Sequence, residues 1–152
     1  MRKYFAAFAF AAFTLAPPAS AITFPSLTTI YVGSGVFDDG GAEGAGIATA
    51  VHCSNVSGLS AQVRVLVLDD LGAVDVALTT TVLHGNTKTF ETHNTPFNAI
   101  ILNTGSVAQG VVNVESTQSA VFCSAMIVGA ASPQTGVALH LVRVNPHPGT
   151  VE

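Results

Sequence analysis

The residues of this chain that could do chemistry are few. They are two cysteines, five histidines and one short acidic run. Cys53 and Cys123 are the only thiols. In an exported chain two cysteines are most simply one disulfide. That bond would close a loop of about 70 residues, worth roughly 4 kcal/mol by chain entropy. The other reading is two buried thiols. His52 lies next to Cys53 and would lower its pKa if the thiol were free and exposed. Export favours the disulfide, and strand alternation points the two side chains to opposite faces in any case.

The histidines are His52, His84, His93, His140 and His147. His84 and His93 bracket one short strand, which holds them well apart. Metal ligation needs convergent ligands about 2 Å from the ion. The expectation is therefore solvent-facing turn histidines. Asp38, Asp39 and Glu43 lie in a Gly-rich loop and are weak Ca2+ candidates, because carboxylates and carbonyls at that density can hold the ion. The loop lacks EF-hand spacing and the repeats of a calcium β-roll, so a solvated acidic turn is expected. Asn55-Val56-Ser57 matches a glycosylation sequon and reads as a turn.

Catalytic patterns are missing. The sequence has no Gly-x-Ser-x-Gly elbow, His-Glu-x-x-His, Ser-x-x-Lys or Walker loop. Gly40, Gly41, Gly44 and Gly46 open no helix, so they supply no anion site of the dinucleotide kind. The expectation is a protein that is not an enzyme, with no catalytic residues and no cofactor.

The elements that must position these residues begin after an export signal. Arg2 and Lys3 precede an apolar run of Ala and Phe, Pro17 and Pro18 break it, and Ala19-Ser20-Ala21 is a small-x-small cleavage site. The run is too short for a bilayer, which needs about 20 apolar residues. Residues 1–21 are read as the signal, cleaved after Ala21 or a residue or two away. Residues 22–152 are read as a single β-sandwich domain, secreted or periplasmic, with no later membrane span. Three cations remain, Arg64, Lys88 and Arg143, against nine acids. Three scattered cations cannot neutralise a phosphate backbone, so no nucleic-acid partner is expected. With 49% hydrophobic residues the chain is not disordered.

Strand signals follow one another with turns between them. They fall at residues 27–36, 47–54, 61–68, 73–83, 87–92, 97–102, 107–116, 119–128 and 137–144. Val63, Val65 and Val67 face one way, and Val112 and Val114 turn inward from a later strand. No window has helical periodicity outside the signal. The reading is an all-β, antiparallel Ig-like β-sandwich of about seven to nine strands, with a small barrel as the alternative. The strands carrying Cys53 and Cys123 are expected to be buried neighbours. Both are apolar on two faces in places. Phe122 and Met126 share a face opposite Cys123 and Ile127. A homo-oligomer or protein partner covering an apolar sheet face would explain that, and so would small residues lying close to a loop.

The turn grammar carries a resemblance. A strand runs into Asn55-Val56-Ser57-Gly58, and the next into Asp69-Asp70-Leu71-Gly72. Gly85 to Phe90 then reads Gly-x-Thr-x-x-Phe, and Gly110 to Ser116 reads Gly-x-Val-x-Val-x-Ser. Over residues 45–128 this resembles small bacterial Ig-like sandwich domains, including the sensory rhodopsin transducer type. The resemblance implies the architecture and no functional residues. The expected role is an exported, non-catalytic binding or structural module. One rival is a carbohydrate or small-ligand binding module. It would need exposed aromatics, yet Trp is absent. The other rival is a hydrolase or redox protein using His and Cys.

Overall fold

The computed structural model describes residues 26–97, 99–131 and 135–144. The signal expected at residues 1–21, His147 and the C-terminal tail lie outside them. All the regular structure described is β. The strands are β1 (Thr28–Asp38), β2 (Ile47–Asn55), β3 (Ala61–Leu68), β4 (Val74–Val82), β5 (Thr87–Glu91), β6 (Ile100–Ile101), β7 (Val107–Ser116), β8 (Val121–Gly129), β9 (Gly136–Leu139) and β10 (Leu141–Arg143). They form two five-stranded sheets, in the orders β10-β1-β7-β3-β4 and β6-β5-β2-β8-β9. All pairings are antiparallel except β5 with β6.

Alternation explains the core. Along β3, Ala61, Val63, Val65 and Val67 are buried while Gln62, Arg64 and Leu66 are half-exposed. β7 adds Val112 and Val114 from the same sheet, and the facing sheet adds Val51, Cys53, Phe90 and Val121. Two inner faces thus share one apolar layer. β2 and β8 are direct neighbours, paired residue for residue from Ile47↔Gly129 to Asn55↔Val121.

Turn side chains hold the connections. Asn55 is fully buried; its Nδ2 donates to the carbonyls of Leu59 and Val82, and its Oδ1 accepts from the Ser57 amide. The sequon is therefore a locked turn. Asp69 caps the β3–β4 hairpin by accepting from the amides of Leu71 and Ala73.

One expectation on strand number is corrected. The sequence predicts one strand over residues 137–144 among seven to nine; the described residues hold ten strands, two of them here. β9 pairs with β8 in one sheet, and β10 pairs with β1 in the other. The chain changes sheets at His140. Arg143 secures the crossing by donating to the Tyr31 hydroxyl at 2.7 Å and to the Val121 carbonyl at 3.2 Å.

The two-sided apolar character of β2 and β8 has an explanation within the chain. Ala48, Ala50 and Val128 form a second, small cluster away from the main core. Phe97, from the β5–β6 connection, packs on it together with Met126. Small residues beneath a loop account for that end of the face. Phe122 remains 41% exposed, with the Arg143 guanidinium 5.4 Å from its ring centre.

Candidate functional site

The polar residues singled out in the sequence converge where β1 ends. Asp38 closes β1 and is buried. One carboxylate oxygen accepts from the Gly40 amide at 2.7 Å, and the other lies 2.7 Å from His93 Nδ1. His93 Nε2 lies 3.0 Å from the Ala45 carbonyl oxygen. Each ring nitrogen thus has an oxygen partner, and the carboxylate that meets Nδ1 is out of water.

His93 therefore departs from the expected solvent-facing turn histidine. Its side chain is only 12% exposed. The reason is topological. The loop between β1 and β2 folds back over the segment after β5, so a residue in a turn becomes a bridge between segments. Its neighbour Asn94 adds to the bridge: its side chain donates to the Glu43 carboxylate, and its carbonyl accepts from the Gly44 amide at 3.1 Å.

Asp39 is solvent-exposed and local. Hydrogen bonding from the backbone at Ile47, then at Gly41, with His93 nearby, holds its carboxyl below the usual range. Gly46 must be glycine on two counts. Its φ is 82°, and a Cβ there would strike the Asp39 carboxylate.

Asp38, Asp39 and His93 each offer one ligand atom, all within 4.8 Å of one another. Glu43, the third member of the sequence-derived Ca2+ set, is turned to Asn94. The donor set suits a metal only in part. A cation on Nδ1 would displace the Asp38 carboxylate from the ring, and calcium favours oxygen ligands in larger number. A general-base role needs a substrate or nucleophile at hydrogen-bond distance. Here Nε2 faces a backbone carbonyl, and the Ser106 hydroxyl donates to the Asp38 carbonyl at 3.4 Å.

Beside this knot lies Glu91, a fully buried acid that the sequence reading passed over. Thr95 donates to it from both its hydroxyl and its amide. Burial raises the Glu91 carboxyl above its ordinary range, against those two hydrogen bonds. The signal was a charged residue directly after Phe90 inside a strand. Thr49 and Thr92 continue the polar seam: Thr49 donates its amide to the Thr92 hydroxyl at 2.9 Å and bonds both backbone groups of Phe37 through its own hydroxyl.

The other histidines stand apart. His52 lies on the face opposite Cys53, bonds the Thr89 hydroxyl at 2.9 Å and meets the Phe97 ring edge-on at 5.3 Å. Burial holds its pKa down. His84 is exposed and accepts from the Gly58 amide at 3.1 Å. His140 is exposed at the sheet crossing. It borders a shallow groove of about 460 Å3 on the first sheet, lined mainly by Val32, Val111, Val142 and Val144 and distant in sequence and sheet position from His93. Cys53 and Cys123 face each other in register, at disulfide distance, with S–S 2.13 Å and Cα–Cα 4.2 Å.

No protein-family model matches the chain, and no curated protein matches it. One solved structure does: the crystal structure of Thermotoga maritima 1070 is similar over 74% of this chain and 91% of that one, with a TM-score of 0.50 and 8% identity. At that identity the likeness speaks for the fold alone.

Proposed function

We propose that this chain is an exported, non-catalytic Ig-like sandwich that acts as a binding or structural module. One observation carries the reading: the groups best able to do chemistry are consumed by the scaffold. His93 has an acceptor at each ring nitrogen, Asp38 is held by His93 and Gly40, and the two cysteines face each other at bonding distance. The cations point the same way. Arg64 is paired with Glu115 and Arg143 with Tyr31 and nearby carbonyls, so two of the three have protein partners rather than a basic surface to offer.

An oxidising compartment fits the cysteine pair. No described helix is long and apolar enough to cross a membrane. The location is tested by intact-mass analysis of protein recovered from periplasm and medium. A mature chain beginning at Ile22 is expected, and retention of residues 1–21 in exported material would refute the signal. The non-catalytic reading is tested by assaying the exported protein against ester, glycoside and phosphoester substrates and in a dithiol-exchange assay. Turnover that disappears in Asp38→Asn or Cys53→Ala while the protein stays folded would overturn it.

A further inference from the structure

Among the described residues the two sheets have four outer strands, and they are not alike. In the second sheet the outer strands are β6, with two residues, and β9, with four. In the first they are β10, with three, and β4, with nine. Short edges offer few backbone groups to another strand. β9 and β10 are also consecutive, so the chain itself passes over that side. β4 has neither protection. Among the described residues nothing pairs with its outer edge.

Its sequence does not defend that edge either. Val74-Asp75-Val76-Ala77-Leu78-Thr79-Thr80-Thr81-Val82 contains one charge, no Lys and no Pro. From Val76 to Val82 it pairs with β3 without a bulge. Ala77, Thr79 and Thr81 are exposed on one face, and Val76 and Leu78 are half-buried against the margin of the core on the other. Val74 and Leu83, at and just beyond its two ends, are 57% and 54% exposed. A regular, uncharged, β-branched edge is a template for strand addition.

We infer that β4 is a self-pairing edge through which two copies of this chain form an antiparallel dimer with one continuous ten-stranded sheet. The occupant is a second copy because β4 is self-complementary about Leu78. A two-fold axis there sets Leu78 against Leu78 of the other copy, Val76 against Thr80 and Ala77 against Thr79. Core-side residues meet core-side residues, and solvent-side residues meet solvent-side ones, as an isologous contact requires. Asp75 falls opposite Thr81 and never meets its own copy. The ladder ends near Val82, whose carbonyl already accepts from Asn55 Nδ2 at 2.8 Å. The half-exposed margins of Val76 and Leu78 are then covered. This inference stands independently of the binding-module reading.

Light scattering on the exported protein over a wide concentration range tests it, with circular dichroism to show that each variant is folded. The wild-type chain is expected to dimerise. Ala77→Lys with Thr79→Lys puts like charges opposite each other twice across the axis and should leave a folded monomer. Ala77→Lys with Thr79→Glu changes the same positions but sets opposite charges against each other, and should restore the dimer. A wild-type chain that stays monomeric overturns the inference, as does a dimer that survives the double-lysine change. Monomers from both double variants overturn the register about Leu78.

Discussion

Two ties hold the loops and strands of this molecule together, and they join different things. The sulfur tie links Cys53 and Cys123, which already face each other across the β2–β8 ladder. The polar tie links Asp38, at the end of a strand in one sheet, to His93, after a strand in the other, and through Ala45 to the loop between β1 and β2. The first adds little to a native arrangement that nine cross-strand pairs already specify. Its effect falls on the unfolded chain, where it forbids every conformation that separates residues 70 apart in sequence. The second has no ladder beneath it. Together with the Asn94 bonds it fixes where two loops lie relative to each other, and its effect falls on the native state.

The largest expected effect follows from that difference. Replacing both Cys53 and Cys123 with Ala should leave the fold intact while lowering unfolding free energy by about 2–5 kcal/mol. Urea denaturation should show an earlier midpoint, and wild-type protein in reductant should shift similarly. Equal midpoints with and without reductant would mean that the sulfurs carry no such constraint.

Breaking the polar tie should cost less, about 1–3 kcal/mol, because a hydrogen bond to a buried carboxyl group is lost but water can reach His93. Asp38→Asn removes the anion, and His93→Gln keeps only one donor direction. The two changes should be strongly non-additive in a double-mutant cycle, since either one alone dissolves the pair. Reductant should leave the coupling unchanged. Additive losses would show that the two side chains stabilise the fold separately.

Acid and base should separate two neighbours of these ties. Burial holds His52 below its ordinary 6.5, so its contribution is complete above that value and is lost as pH falls through the lower folded value. Burial raises Glu91 above 4.5, so its contribution is complete below that value and is lost as pH rises through the higher folded value. Thermal midpoints should therefore respond in opposite directions in two variants. Compared with wild type, His52→Gln should lose less stability between about pH 7 and pH 5, and Glu91→Gln should lose less as pH rises from about 4. Parallel curves for wild type and His52→Gln would remove His52 from the account.

The sulfur tie was legible in the sequence and the polar tie was not. A cysteine pair announces a covalent constraint by composition and compartment, and apolar flanks placed both in buried strands. Asp38 and His93 give no such sign. They lie 55 residues apart, and neither has a neighbour pattern that identifies the other. Period-two alternation located β3 and β7 to the residue. It failed at residues 137–144, because leaving one sheet for the other at His140 does not interrupt an apolar run. The fully buried Glu91 was missed because its partner Thr95 lies in the loop that follows, where local pattern carries no signal of burial. The covering of Ala48 and Ala50 by Phe97 was anticipated only as one of two explanations for small apolar residues on an outer face.

The smallest effect should come from the outer part of the polar tie. Asn94 donates its side-chain amide to the Glu43 carboxylate in an exposed setting. Exposed polar pairs of this kind are weak, because water competes for both partners and the side chains must be ordered to meet. Asn94→Ala should lower stability by less than about 1 kcal/mol, near the limit of urea denaturation. Amide exchange gives a sharper readout. Gly44 donates to the Asn94 carbonyl, a backbone contact that the substitution leaves in place, so its protection should fall only slightly. In Asp38→Asn the whole loop loses its anchor to His93, and protection at Gly44 should fall much further. If Asn94→Ala released Gly44 as fully as Asp38→Asn, the loop would be held from its tip, and the Asp38–His93 contact would not be the anchor.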